Sequence, residues 1–115
     1  NVIAAVDCGI VVNPDAAINM GQGGIIDGIG NALFGEMTFK DGVPDKNNFH
    51  QYRMIRQKET PRAVEVHFVK NKEAPTGLGE PLFPPVFAAV ANALYKATFC
   101  KTSGSYPLPY VETYY

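Results

Sequence analysis

One carboxylate in this chain stands in a setting more constrained than that of an ordinary surface charge. Glu80 lies in the stretch Ala74-Pro75-Thr76-Gly77-Leu78-Gly79-Glu80-Pro81, which runs on into Leu82-Phe83-Pro84-Pro85. Gly77 and Gly79 have no side chains to block the approach of backbone or ligand. Pro81 drives Glu80 out of the α region into an extended conformation. A carboxylate held on a stiff loop ahead of a helix can serve as a general base if a hydroxyl comes within hydrogen-bond reach. The same pattern also describes a tight surface turn whose charge points at water, the commoner arrangement for a lone acid beside glycine and proline.

A second stretch with chemical content lies earlier. Met20-Gly21-Gln22-Gly23-Gly24, with Gly28 and Gly30 beyond, puts five glycines into ten residues of a span with helical apolar spacing. Each glycine works against a helix by ~1 kcal/mol relative to alanine. Close packing on a sheet accounts for Gly28 and Gly30. Gly21-Gln22-Gly23-Gly24 fits better with a ligand lying on the backbone, its amides offered to an anionic or polar cofactor edge. The spacing is not the dinucleotide fingerprint, because the third glycine would fall at Ile26. Phe49-His50-Gln51-Tyr52-Arg53 is a mixed aromatic and polar cluster. It reads as pocket lining or, more simply, as a loop pinned to the core by Phe49 and Tyr52. His50 and His67 lie far apart, and Cys8 and Cys100 match no zinc or redox spacing, so no residue is assigned as a metal ligand.

The elements that must position these groups follow from pattern. Residues 2–12 read as a strand, a bend at Gly9, and a second extended piece at Ile10-Val11-Val12. Asn13-Pro14 opens a helix whose apolar stripe is Ile18, Ile25, Ile29 and Leu33. Glu36 to Lys40 alternates and meets the hairpin signal Asp41-Gly42. Val64, Val66 and Phe68 alternate with Glu65 and His67, as in a half-exposed strand. Pro84-Pro85 opens a second helix with a stripe of Val86, Val90 and Leu94. Residues 102–115 read as an extended tail. The expectation is one α+β domain, a mixed or antiparallel sheet with two main helices packed on it.

Composition narrows the classes. The 115 residues suit a single domain, and with 46% hydrophobic and 18% charged residues the chain is globular in type. A formal net charge of −1 makes no electrostatic case for nucleic acid. No apolar run approaches the ~20 residues that span a bilayer. The chain begins with Asn1 in a strand-like run, the pattern expected of a piece of a longer polypeptide.

Four stretches together resemble one family. Val6-Asp7-Cys8-Gly9-Ile10-Val11-Val12-Asn13-Pro14 is similar to a VDxGxxxNP signature, and Gly23 to Leu33 to a GGxxxGxGxAL helix. Asn48-Phe49-His50-Gln51-Tyr52-Arg53, completed by Arg56, is similar to an NFxxYxxxR loop. Ala74 to Pro85, with Ala91-Asn92-Ala93, is similar to an APxGxGEPxxPP block. Order and spacing resemble the C-terminal segment of the molybdopterin-binding subunit of the xanthine dehydrogenase and aldehyde oxidase family, isoquinoline 1-oxidoreductase-like branch.

The resemblance implies oxidation of an aldehyde or aromatic N-heterocycle with water as the oxygen source. It implies a molybdenum–pyranopterin cofactor, often as its cytosine dinucleotide. Iron–sulfur clusters would sit on a partner domain or subunit, and the rest of the molybdenum-binding subunit would complete the site. By the same resemblance Glu80 is the general base, and Gly23, Gly24, Gly77 and Gly79 neighbour the cofactor. The family's usual glutamine falls on Met20, which leaves Gln22 as the candidate to replace it. The implied compartment is cytoplasmic or bacterial periplasmic, and this piece alone is expected not to turn over. A non-catalytic binding or assembly module of the same fold is the alternative.

Overall fold

A computed structural model describes residues 1–98 of the chain. The expected tail, 102–115, lies outside the described residues, as does Cys100.

Strand β1, Val2–Val6, pairs with β4, Val64–Phe68, in parallel, with Val2 opposite Val64 and Val6 opposite Phe68. Fifty-seven residues lie between the two, room enough for the helical crossover that parallel pairing needs. That crossover is α1, Pro14–Phe34. It starts where the sequence says it should. The Asn13 side chain accepts a hydrogen bond from the Ala16 amide at 3.1 Å, and Pro14 takes the first turn. A short antiparallel hairpin follows, β2 (Phe39–Lys40) and β3 (Val43–Pro44), turning through Asp41 and Gly42 at φ 51° and 79°. Two positive φ values in succession suit the twist of a two-residue hairpin. The α+β class with two main helices holds, but in place of one mixed or antiparallel sheet there are two separate pairs, and the one on which α1 packs is parallel. The second helix, α2, spans Pro84–Thr98.

The core lies where α1 crosses the parallel pair and meets α2. Val6, Cys8, Ile25, Ile29, Leu82 and Val86 are buried there. Three glycines of α1 let these parts close up. A methyl group on Gly21 would stand 2.9 Å from Leu82 Cδ1, on Gly28 2.9 Å from Val86 Cβ, and on Gly30 2.8 Å from Ile55 Cγ2.

Several expectations change. Ile10-Val11-Val12 is not a strand: Gly9 takes φ +72° and turns the chain away, and the Ile10 amide donates to Glu73 O at 3.1 Å instead. The stripe on α1 ends at Ile29, leaving Leu33 45% exposed, and that on α2 fades from buried Val86 to Leu94 at 40%. Phe49, expected to pin its loop to the core, is 92% exposed. Arg53 does the pinning. Its guanidinium lies 4.0 Å from the centre of the Phe34 ring and grips Glu59 with two hydrogen bonds, 2.6 and 3.2 Å.

Candidate functional site

The loop that carries Glu80 is a span between two anchors. At its upstream end, the Thr76 amide donates to Cys8 O at 2.9 Å, and Ile10 N to Glu73 O closes the same junction. Gly9 makes this possible. Its positive φ favours glycine, and a Cβ there would collide with the Ala74 carbonyl. At the downstream end, Leu82 is buried against Gly21, and the Phe83 amide donates to Glu80 O at 2.9 Å before α2 begins. Phe83 and Phe87 pack edge to face, 5.2 Å between ring centres.

Between the anchors the loop crosses the first half of α1. A Cβ on Gly79 would lie 3.9 Å from Met20 Cε, and one on Gly24 would lie 4.0 Å from Gly79 O. Gly23 and Gly77 have nothing within 4 Å of where a Cβ would stand. Met20 and Gly23 are exposed, one turn apart on the helix, and Glu80, the residue after Gly79, is exposed on the loop. The structure therefore brings Gly24 and Gly79 together next to Met20, leaves Gly23 and Gly77 bare, and leaves the Glu80 carboxylate without an ion-pair partner among the described residues.

Two expectations about this stretch need correction or refinement. Because α1 is unbroken from Pro14 to Phe34, the amides of Gly21 to Gly24 lie inside the helical hydrogen-bond pattern and are not free donors. What the glycines offer is a helix backbone without side chains. Gln22 has an occupation of its own: its Nε2 donates to Val64 O at 3.0 Å, tying α1 to β4.

The 49–53 cluster divides. Phe49 and His50 are exposed, whereas Tyr52 OH donates to Asn31 Oδ1 at 3.4 Å and Asn31 Nδ2 donates to Asp27 Oδ1 at 3.0 Å. These groups line a shallow depression one to two turns farther along α1 than Gly23. Glu59 holds the loop below. Its carboxyl is kept under the usual carboxylate range by the Arg53 guanidinium and by the Arg56 amide, 2.8 Å away. Residue spacing shows neither feature: the clip joins residues six apart in a stretch with no periodic pattern, and the Gln22 tie joins residues 42 apart. Among the described residues no three His, Cys, Asp or Glu side chains stand close enough to hold a metal. None of the helices described is long and apolar enough to cross a membrane.

A glycine-rich helix, an anchored acidic loop and a small parallel sheet define the class: an α+β fold with a stretch of helix bare of side chains at Gly23. The comparisons with known proteins agree. Residues 1–61 match the molybdopterin cofactor-binding domain family. The chain is 35% identical over 92 residues to a membrane-bound aldehyde dehydrogenase (pyrroloquinoline-quinone) of Gluconacetobacter polyoxogenes. It is 34% identical over 94 residues to the isoquinoline 1-oxidoreductase subunit beta of Brevundimonas diminuta. To a xanthine dehydrogenase molybdenum-binding subunit of Escherichia coli O157:H7 it is 37% identical over 98 residues. These alignments cover 80%, 82% and 80% of this chain, but only 12%, 12% and 13% of the relatives. The chain belongs to the molybdopterin cofactor-binding domain family, within the xanthine dehydrogenase group of oxidoreductases.

Proposed function

We propose that this chain forms part of a molybdenum hydroxylase that oxidises an aldehyde or an aromatic N-heterocycle with water as the oxygen source. In this reading it supplies the base, Glu80, and one wall of the cofactor site. The observation that carries the reading is the bare strip at Gly23 and Gly77. Neither glycine is required by packing within the described residues, and the two flank in sequence the point where Gly24 and Gly79 approach each other. A flat ring system can approach such a backbone closely, so the residues present fit the cofactor. Gly23, Gly24, Gly77 and Gly79 would border it, with Gln22 holding the wall to the sheet.

The cofactor, a molybdenum–pyranopterin in its plain or cytosine dinucleotide form, supplies when bound the oxygen delivered to the substrate and the sink for its electrons. One relative's name carries pyrroloquinoline quinone instead. The molybdopterin reading rests on the family matched over residues 1–61 and on the molybdenum-binding name of the xanthine dehydrogenase relative. The role of this chain's own acid is simple. A Glu80 carboxylate oxygen accepts the proton of the attacking hydroxyl, which sharpens it as a nucleophile. Anchoring at Cys8 and at Leu82 limits how far the carboxylate can wander. The substrate pocket, the iron–sulfur clusters and the remaining cofactor contacts would come from the rest of the subunit and from a partner subunit. The names of two relatives, subunit beta and molybdenum-binding subunit, agree with such an assembly.

The exposed Glu80 carboxylate also suits a non-catalytic assembly module, and one experiment separates the two. Glu80→Gln in the full-length enzyme, with molybdenum content equal to wild type, should lose roughly 10²–10⁴-fold in turnover. Turnover within a few-fold of wild type removes Glu80 from the chemistry.

A further inference from the structure

The two strands of the parallel sheet are not alike on their outer sides. In β4, the side chains that face away from α1 are Glu65 and His67, exposed and 3.6 Å apart, as a strand facing water should be. In β1, the sequence Val2-Ile3-Ala4-Ala5-Val6 is apolar on both faces. Ile3 is 72% exposed, and no polar residue marks a solvent side. A strand that is apolar on both faces is the signature of one buried within a parallel sheet.

The edges differ in the same way. Val2 N–H donates to Ala63 O and Val69 N–H to Val6 O, each at 2.9 Å. With the register of the pair, these bonds place the peptide groups of Val2, Ala4 and Val6 toward β4. The N–H and C=O groups of Ile3 and Ala5 therefore point to the opposite edge. There, no strand among the described residues meets them. The far edge of β4 is partly closed, since Val64 O accepts the Gln22 side chain. The edge of β1 carries none of the usual guards: no lysine, no proline, no inward charge. A parallel sheet of two strands is also too small to be stable by itself.

We infer that β1 is an interior strand of a larger sheet, and that its free edge pairs with an extended segment from the rest of the molybdenum-binding subunit. The occupant is taken from the same polypeptide because this chain spans only 12–13% of the length of the relatives described above. It carries an apolar side chain over Ile3 and takes main-chain hydrogen bonds from Ile3 and Ala5. Such strand addition would tie the Cys8–Ile10 junction, and through it the Glu80 loop, to the body of the enzyme. The inference rests on reading the chain as part of that subunit, and it does not depend on what Glu80 does.

The test uses the full-length subunit with a photo-crosslinking aromatic amino acid in place of Ile3, prepared as a mixture of light and heavy isotope forms. Mass spectrometry should find a crosslink to a peptide of the same polypeptide outside residues 1–115, in unmixed isotope form. Crosslinks in mixed isotope form would mean a second copy, and crosslinks to 102–115 would mean the tail; either result overturns the inference. Because the bulky residue could disturb the edge, amide exchange of the unmodified subunit provides a second measurement. Ile3 and Ala5 should exchange as slowly as Ala4, and fast exchange at both sinks the idea. Glu80→Gln should leave both readouts unchanged, so a failure here and a failure of the proposed base are told apart.

Discussion

The two halves of α1 use the same residue for opposite purposes. From Ile25 to Gly30 the glycines are filled spaces: a methyl on Gly28 or Gly30 would stand within 3 Å of Val86 or Ile55. From Met20 to Gly24 the helix is looser. Gly21 still meets Leu82 and Val66, but Gly24 only grazes the Glu80 loop and Gly23 touches nothing. A helix glycine costs about 1 kcal/mol against alanine wherever it sits. In the second half tight packing offsets that cost. In the first half packing does so at Gly21 but not at Gly23, where no described residue stands within 4 Å of a Cβ. The glycines thus divide into those that packing requires, Gly21, Gly28 and Gly30, and Gly23, which in the proposed function borders the cofactor.

Substitutions can break this division. The largest effect on folding belongs to Gly9→Ala, which combines a positive φ with a collision against the Ala74 carbonyl. It should cost about 2–5 kcal/mol, read from denaturant unfolding, by adding backbone strain to overpacking. The Thr76–Cys8 hydrogen bond should go with it. Next comes Gly28→Ala. Here about 1–3 kcal/mol of overpacking opposes the ~1 kcal/mol gained in helix propensity, so the variant should unfold at lower denaturant. A neutral result would mean that α1 and α2 can slide apart freely. The smallest effect is acid loosening of the Arg53–Glu59 clip. The folded Glu59 carboxyl titrates below its ordinary value, so its stabilising contribution is full above that ordinary value. It fades as pH falls through the lower, folded value. The protection factor of the Arg56 amide, whose N–H binds Glu59, should fall across that acidic window once the intrinsic pH dependence of exchange is divided out, while that of Gly23 should not follow it. In Glu59→Gln the acid dependence at Arg56 should vanish.

Local signals placed most of the elements. Asn13-Pro14 marked the start of α1, Asp41-Gly42 the hairpin, the alternation at 64–68 the strand, and Pro84-Pro85 the start of α2. Each is a matter of neighbours in sequence. What could not be read needed partners from far along the chain. Ile10 to Val12 has a strand's composition, yet Glu73 takes the Ile10 amide and Gly9 turns the segment away. Phe49 looked like the anchor of its loop because it is large and apolar. The anchor is Arg53, and only the fold shows that Phe34 lies beneath it. Within the candidate site, the Gly77–Pro81 block was plain in the sequence. That it lies across Gly24, and that Gln22 reaches Val64, are matters of tertiary contact.

The claim beneath the whole account is that the first half of α1 is kept bare for a cofactor. Gly23→Leu in the full-length enzyme addresses it directly, with molybdenum per subunit measured by elemental analysis beside a denaturant melt. Leucine has better helix propensity by roughly 0.8–1 kcal/mol, and its Cβ would meet nothing within 4 Å among the described residues, so the protein should fold at least as stably as wild type. The account predicts that this well-folded variant loses most of its molybdenum. A variant that keeps a full complement of metal would show that the bare face of α1 is not where the cofactor lies.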